Sequence, residues 1–163
     1  MRATGAVRFI SAVDINGVPS AGVTLPAGSG SWTTLSDRDR KTNFVAVNAR
    51  ALLGRLAELP VQTWYYKSQG DSVRHIGPTA QDFRAAFEVG EDDRHIATVD
   101  ECGVALAAIQ GLTGIVRQQR SAMKASTAEL GELKKQNDQL RQKLADLESA
   151  LNRLTNRSIG IAR

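Results

Sequence analysis

The sequence predicts an α+β protein with a short β-rich start, a small mixed α/β body and a long C-terminal helix that forms a parallel coiled coil. Three observations lead to this prediction. Apolar residues alternate with period two near the N-terminus, helix-like and strand-like runs follow one another in the middle, and leucines recur at spacings of three and four in the last third. The 163 residues leave room for one modest domain with extra segments.

The β-rich start is predicted as two strands, over residues 6–13 and 18–25, that are joined by a turn at Asn16-Gly17. Both central positions of a type I′ hairpin turn need a positive φ, which Asn and Gly tolerate. Two strands alone bury no core. They therefore either pair with other copies of the chain or form the β-rich end of an upstream stalk or fibre.

The middle of the chain is predicted as a small α/β body. The pattern indicates a helix over 42–59 that ends at Pro60, a strand over 61–67, a helix over 79–87 and a last strand over 96–99. In the first helix the apolar residues at helical spacing are Phe44, Val45, Leu52, Leu56 and Leu59, and the second helix would bury Ala80, Phe83 and Phe87. We expect three segments in all: the β-rich end (1–35), the body (36–103) and the coiled-coil helix (104–163).

The coiled-coil prediction comes from a heptad seam that begins at Leu130 and extends backwards to Ile109. Asn137 is the one polar residue among the leucines at a positions and would fix the register. Opposite charges at Glu129 and Lys134 fit a parallel arrangement, whereas leucine at both a and d leaves dimer against trimer open. The predicted oligomerisation residues are Leu130, Leu133, Asn137, Leu140, Leu144, Leu147, Leu151 and Leu154.

Composition and charge limit the kinds of function. One cysteine, Cys102, and two histidines exclude an internal disulfide framework and the common zinc sites, so we expect no metal and no cofactor. The longest purely apolar run, 104–109, is far shorter than a membrane span, so no membrane partner is expected. From residue 104 onward ten Lys or Arg stand against five Asp or Glu. A DNA-binding zipper needs a denser basic stretch before its leucines, so we interpret this surplus as a solvated helix face and expect no nucleic-acid partner.

Candidate chemistry lies in the stretch from Ser36 to Lys41. A serine hydroxyl needs a base, and a lysine can serve as one when burial or nearby cations, here Arg38 and Arg40, lower its pKa. On a regular helix a five-residue offset sets side chains about 140° apart, so the pair meets only in a turn or after assembly. In the alternative interpretation Ser36 or Asp37 caps a helix and Lys41 is a solvated charge.

Four strings occur in an order that resembles the C-terminal intramolecular chaperone domain of phage endosialidases, tailspikes and tail fibres, a module also present in myelin regulatory factor. They are SDRDRKTNF at 36–44, LAELPVQTWYYK at 56–67, RHIGPTAQDF at 74–83 and VDECGVALAAIQGL at 99–112. The resemblance implies a homotrimer whose client is an upstream β-fibre domain of the same polypeptide. It also implies a phage tail component or a bacterial tail-fibre-like surface protein, with the chaperone part released in the cytoplasm after assembly.

The same resemblance implies self-cleavage by a Ser-Lys dyad, with Ser36 as nucleophile, Lys41 as base and Leu35–Ser36 as the scissile bond. Possible supporting residues are Asp37, Asn43, His75 and Gln81. Among these Asn43 is a candidate donor to the oxyanion, and His75 is expected to cap the turn at 77–78 rather than to catalyse. The family usually has Glu where this chain has Asp82, and Cys102 is expected to be a buried packing residue. The alternative is a structural trimerisation module that does not cleave.

Overall fold

The computed structural model describes the backbone of residues 4–161 and the side chains of residues 4–154. The chain divides into two compact units, Met1–Ala46 and Val47–Arg163. Antiparallel strands and separate helices make it an α+β protein, which confirms the predicted fold class. The two units are described in turn.

The first unit contains a three-stranded antiparallel sheet in the order β1-β2-β3. The strands are β1 (Val7–Val13), β2 (Pro19–Leu25) and β3 (Thr33–Thr34). The two predicted strands are confirmed. The third strand has only two residues, too few for a periodic pattern to reveal, and it pairs Val23 with Thr34.

The β1–β2 turn differs from the predicted two-residue type I′ turn. Asp14 and Val18 pair through their backbone, and the Gly17 N–H donates to the Asp14 carbonyl at 2.9 Å. Of the loop residues only Gly17 has a positive φ, 76°. The connection is therefore a three-residue loop in which one left-handed glycine follows the turn. The reason is Asp14, whose Oδ1 accepts the N–H groups of Asn16 and Val18, each at 2.9 Å.

Residues 42–48 are not helical, which corrects the predicted start of the first helix. Asn43 has φ 54°, a left-handed conformation that interrupts any helix there. Helix α1 spans Ala49–Glu58 instead, and the Asn48 side chain caps it by accepting the Ala51 N–H at 3.1 Å. Phe44 and Val45 are consequently exposed, at 61% and 85%, and do not belong to the core.

The second unit joins α1 to a two-stranded antiparallel sheet and two further helices. Its other elements are β4 (Gln62–Tyr65), β5 (Arg74–Gly77), α2 (Ala80–Phe87) and α3 (Thr98–Ile161). The predicted strand over 96–99 is wrong, because α3 already begins at Thr98. The Ala97 carbonyl accepts the N–H groups of Asp100 and Glu101, whose carboxylates lie in the first helical turn, where the helix dipole favours them.

The core of the second unit lies where the three helices meet. Phe83 and Phe87 of α2 form an edge-to-face pair with ring centroids 5.0 Å apart. Helices α1 and α3 approach closely at Gly111, where an added Cβ would overlap the Ala49 carbonyl oxygen. The buried residues are Leu52, Phe83, Phe87, Val104, Ala107 and Ala108.

Beyond this core and up to residue 154, most apolar side chains of α3 are exposed, including those of the predicted heptad seam. Cys102 is exposed as well, which corrects its expected burial. Within the described residues α3 is one helix long and apolar enough to cross a membrane, with a window of mean hydropathy 1.4 that is 17% buried. A core helix of a soluble protein passes the same test, so this criterion alone is weak evidence for a span.

Candidate active site

Ser36 and Lys41 are in direct contact: Lys41 Nζ donates to Ser36 Oγ at 2.6 Å. A single 3-10 turn over Arg38–Arg40 makes this contact possible, because extended residues flank it on both sides. The Lys41 N–H closes the turn on the Arg38 carbonyl at 3.1 Å. The five-residue offset is thus bridged by a turn, one of the two conditions expected for the pair to meet.

Asp37 caps the same turn. Its Oδ1 accepts the Asp39 N–H at 3.1 Å, which satisfies one of the free N–H groups at the start of the short helix. The capping role considered for this stretch therefore coexists with the Ser36–Lys41 contact. Asp37 thus shapes the backbone between Ser36 and Lys41.

Arg40 ties the turn to the β1–β2 hairpin. Its Nη1 donates to Asp14 Oδ2 at 2.6 Å, and the two side chains are about a quarter exposed, 28% and 24%. The hydrogen bond from Arg40 is the main reason why the pKa of Asp14 lies below its usual value, and the Val18 N–H lowers it further. The same bond raises the pKa of Arg40. Both groups are therefore charged at neutral pH.

Leu35, the residue before the predicted cut, is anchored to the sheet. Its N–H donates to the Gly22 carbonyl of β2 at 3.1 Å, and its side chain lines a cleft of about 250 Å³ with residues of β1 and β2. Gly22 has φ 150°, and a Cβ there would overlap the Phe9 carbonyl oxygen. Only glycine fits this position, so the anchor of Leu35 depends on it.

The two arginines expected to act on Lys41 have other partners. Arg40 binds Asp14, and the Arg38 guanidinium lies over the Phe44 ring, 4.8 Å from its centroid. Phe44, which lies outside the core, therefore packs against the Arg38 guanidinium. Both arginine side chains are thus engaged with groups other than Lys41.

The remaining candidates lie elsewhere. Asn43 follows Lys41 by two residues in an exposed position. Gln81 is exposed in the first turn of α2, and His75 lies in β5; both belong to the second unit. The His75 ring stacks on Trp64 at 4.8 Å, and its Nε2 lies 2.9 Å from Gln69 Oε1, so its partner is Gln69 and not the expected turn at 77–78.

Among the side chains the structure describes, no group of three or more His, Cys, Asp or Glu residues is placed to hold a metal ion. A cleft of about 460 Å³ lies in the second unit between Trp64, Tyr66 and His95.

Two structurally important residues were missed in the sequence. Asp14 and Gly22 bind the two ends of the stretch that contains the Ser36–Lys41 contact, yet they lie far from it in the chain. The signal for Asp14 was present, since an aspartate two residues before Asn16 is a common way to stabilise a turn. Its bond to Arg40 spans 26 residues, and no local pattern reveals such a contact.

Comparison with known proteins identifies a class for part of this chain. Residues 36–89, about a third of the sequence, match a peptidase family whose description is chaperone of endosialidase. This confirms the resemblance over those residues; the similar string at 99–112 lies outside the match. The matched segment begins at Ser36, the residue after the predicted cut. No curated protein and no solved structure matches the chain.

Proposed function

We propose that this protein is an intramolecular chaperone that trimerises, assists the folding of an upstream β-rich fibre domain of the same polypeptide, and then cuts itself between Leu35 and Ser36. The observation that carries the cut is the 2.6 Å hydrogen bond between Lys41 Nζ and Ser36 Oγ. The family match supports the chaperone role and begins at the proposed nucleophile. An endosialidase chaperone family also fits a tail-associated phage protein; release of the cut chaperone part in the cytoplasm belongs to the proposal.

In the proposed reaction Ser36 Oγ attacks the carbonyl carbon of Leu35 while the uncharged Lys41 amine accepts the hydroxyl proton. The Leu35–Ser36 C–N bond then breaks, and Lys41 returns the proton to the leaving Ser36 amine. The product is an ester between the Leu35 acyl group and Ser36 Oγ. Water hydrolyses this ester, which leaves a carboxylate on Leu35 and restores the Ser36 hydroxyl. The developing negative charge needs donors, for which Asn43 and backbone N–H groups remain candidates.

The proposed trimer depends on α3. At a rise of about 1.5 Å per residue its 64 residues extend over about 96 Å. Exposed leucines at a and d positions give it an apolar seam; Leu130, Leu140 and Leu147 are 63%, 64% and 67% exposed. We therefore assign the coiled coil to residues 104–163 and the chaperone body to 36–103. Residues 1–35 would be the end of the client that is released.

Cleavage can be tested by denaturing electrophoresis and intact-mass measurement of freshly made protein. We expect the wild type to give fragments of 35 and 128 residues, and the variants Ser36→Ala and Lys41→Ala to stay whole. Matched controls are Ser31→Ala and Lys67→Ala, which remove the same groups outside the dyad and should cleave like the wild type. An intact wild-type chain would overturn the protease part.

A second candidate, a structural trimerisation module that does not cleave, is favoured by the seam of α3, which does not involve the dyad. Sedimentation equilibrium on the Ser36→Ala variant separates the two parts of the proposal. A trimer with an uncut wild type supports the structural module. A monomer would overturn the assembly that both candidates share.

A further inference from the structure

The Asp14 carboxylate, in the β1–β2 turn, binds Arg40, the residue before the proposed base Lys41. We propose that Asp14 is a positioning residue for Lys41, acts through Arg40, and thereby makes cleavage dependent on a folded β1–β2 hairpin. This inference rests on the proposed function and adds to it the part of the chain that controls the cut.

The two oxygens of the Asp14 carboxylate have different partners. Oδ1 accepts the backbone N–H groups of Asn16 and Val18, and Oδ2 accepts from Arg40 Nη1. The first two bonds exist only when the turn is formed, because they need the N–H groups that the turn brings together. The hairpin therefore sets the position of Oδ2, and Oδ2 sets the position of the guanidinium.

The position of Arg40 is passed on to Lys41 through a closed turn. The Arg40 N–H donates to the Asp37 carbonyl at 3.2 Å, and the Lys41 N–H donates to the Arg38 carbonyl at 3.1 Å. These bonds join the backbone on either side of the Arg40–Lys41 peptide into one short helical turn. Because a lysine side chain has many rotamers, a fixed backbone lowers the entropy lost when Nζ is held on Ser36 Oγ.

The other end of the reacting stretch is held by the same sheet. Leu35 is bonded to the Gly22 carbonyl of β2, while Arg40 is bonded to the turn that precedes β2. Residues 35–40 therefore form a loop with both ends anchored on one hairpin. Unfolding of the hairpin releases both anchors, so the carbonyl under attack and the proposed base lose their relative position together. The segment to be removed would in this way control its own removal.

Asp14→Asn is the most informative variant. The amide oxygen can still accept the N–H groups of Asn16 and Val18, whereas the NH₂ group that replaces Oδ2 is a donor and cannot bind the guanidinium. We expect the cleavage rate to fall by about 10- to 100-fold, since small displacements of reacting groups have effects of this size. Arg40→Gln should show a similar loss, and Arg40→Lys, which keeps one charged donor, should recover part of the rate.

The rate can be followed by a pulse of labelled methionine in cell-free translation and a chase. Met1 and Met123 fall in different fragments, so each product carries one label when the initiator methionine is retained. Asp71→Asn is the matched control, an exposed aspartate of the second unit, and should cleave at the wild-type rate. Thermal unfolding of each variant in the Ser36→Ala background shows whether the fold is kept.

The double variant Asp14→Asn/Arg40→Gln distinguishes coupling from general damage. If Asp14 acts through Arg40, the double variant is no slower than the slower single variant. Multiplied effects, or an Asp14→Asn chain that cleaves at the wild-type rate while Ser36→Ala stays whole, would overturn this inference and leave the proposed function standing. A wild-type chain that never cleaves would overturn both.

Discussion

Three aspartates shape the loops of this protein in the same way. Asp14, Asp37 and Asp92 each accept, on Oδ1, the backbone N–H of the residue two positions ahead. Such a bond replaces the partner that a helix or strand would provide and lets the chain turn sharply. In one of these loops the turn brings Ser36 to Lys41. The local structure of the candidate site therefore depends mainly on the hydrogen bond from the Asp39 N–H to the Asp37 carboxylate.

The Asp92 loop allows a pH test. The N–H of Arg94 and then the His95 side chain and N–H hold the pKa of Asp92 at about 2, below the usual 3.8. Because the folded value is lowered, this carboxylate stabilises the loop fully above pH 4 and ceases to do so as the pH falls through about 2. In an NMR titration the amide signals of Arg94 and His95 should move with a midpoint near 2. Asp92→Asn should remove this step, and a midpoint near 3.8 would contradict the expectation.

The candidate residues were predictable at this scale, but their geometry was not. The serine, the lysine and the bond before the serine follow from a short motif and a resemblance. Whether the two side chains touch depends on one 3-10 turn, whose three residues carry no periodic signal. Asp14 could be predicted as a turn residue, but its bond to Arg40 depends on how the chain folds back over 26 residues.

At the scale of elements, the packing of α1 against α3 depends on their close approach at Gly111. Gly111 of α3 lies against the Ala49 carbonyl of α1 with no room for a Cβ, whereas Gly114, one turn further on, has nothing within 4 Å of such an atom. Two glycines on the same helix therefore have opposite roles. At Gly111 the missing side chain permits contact, and at Gly114 it only weakens the helix.

This difference gives a matched pair of variants. Gly111→Ala should destabilise the protein by about 1–3 kcal/mol, because α1 must move away from α3. Gly114→Ala should stabilise it by up to about 1 kcal/mol, since alanine is the better helix former. Thermal unfolding followed by circular dichroism, at equal protein concentration, measures both changes. Equal shifts of the melting temperature in the two variants would show that the α1–α3 approach is not tight.

Elements with a clear pattern were predicted well, including the short β4 and α2, whereas the strands β3 and β5 were missed. The 3.5-residue period marks the long helix, although α3 begins at Thr98, six residues before the expected boundary at 104. β5 has only four residues, and their burial alternates with the polar His75 half-buried and the apolar Ile76 exposed, so no apolar alternation marks the strand in the sequence. The apolar residues Phe44 and Val45 have helical spacing, but Asn43 in a left-handed conformation and Asn48 as a cap start the helix later.

At the scale of the whole molecule, the main observation is that many large apolar side chains are exposed. Along α3 the described leucines from Leu106 to Leu154 are 52% to 67% exposed. Among the described residues the buried core is six side chains. A single copy therefore leaves uncovered much of the apolar surface that would stabilise it, which supports assembly through α3.

The contact between Lys41 and Ser36 lies within one chain, and in the proposed assembly each chain would therefore cut itself. We therefore expect that co-expression of Ser36→Ala chains with Lys41→Ala chains gives no cleavage, because neither chain contains a complete dyad. Mixed trimers can be confirmed with two different affinity tags. Co-expression of wild-type with Ser36→Ala chains is the control, in which only the wild-type chains should be cut. Cleaved Lys41→Ala chains would show that a lysine from a neighbouring copy can act.

The anchor of Leu35 on Gly22 also bears on whether the cut can be undone. The proposed cleavage breaks one covalent bond but no hydrogen bond of the sheet, so Leu35 stays on the β2 side with its new carboxylate. Across the cut, within the described part of the first unit, the Asp14–Arg40 ion pair is the polar link that remains, and a partly exposed pair of this kind holds weakly. Once the two new ends diffuse apart, their mutual concentration falls to that of the solution and the peptide bond does not re-form. Because this remaining ion pair is weak, the two fragments would separate and the proposed cleavage would occur once without being reversed.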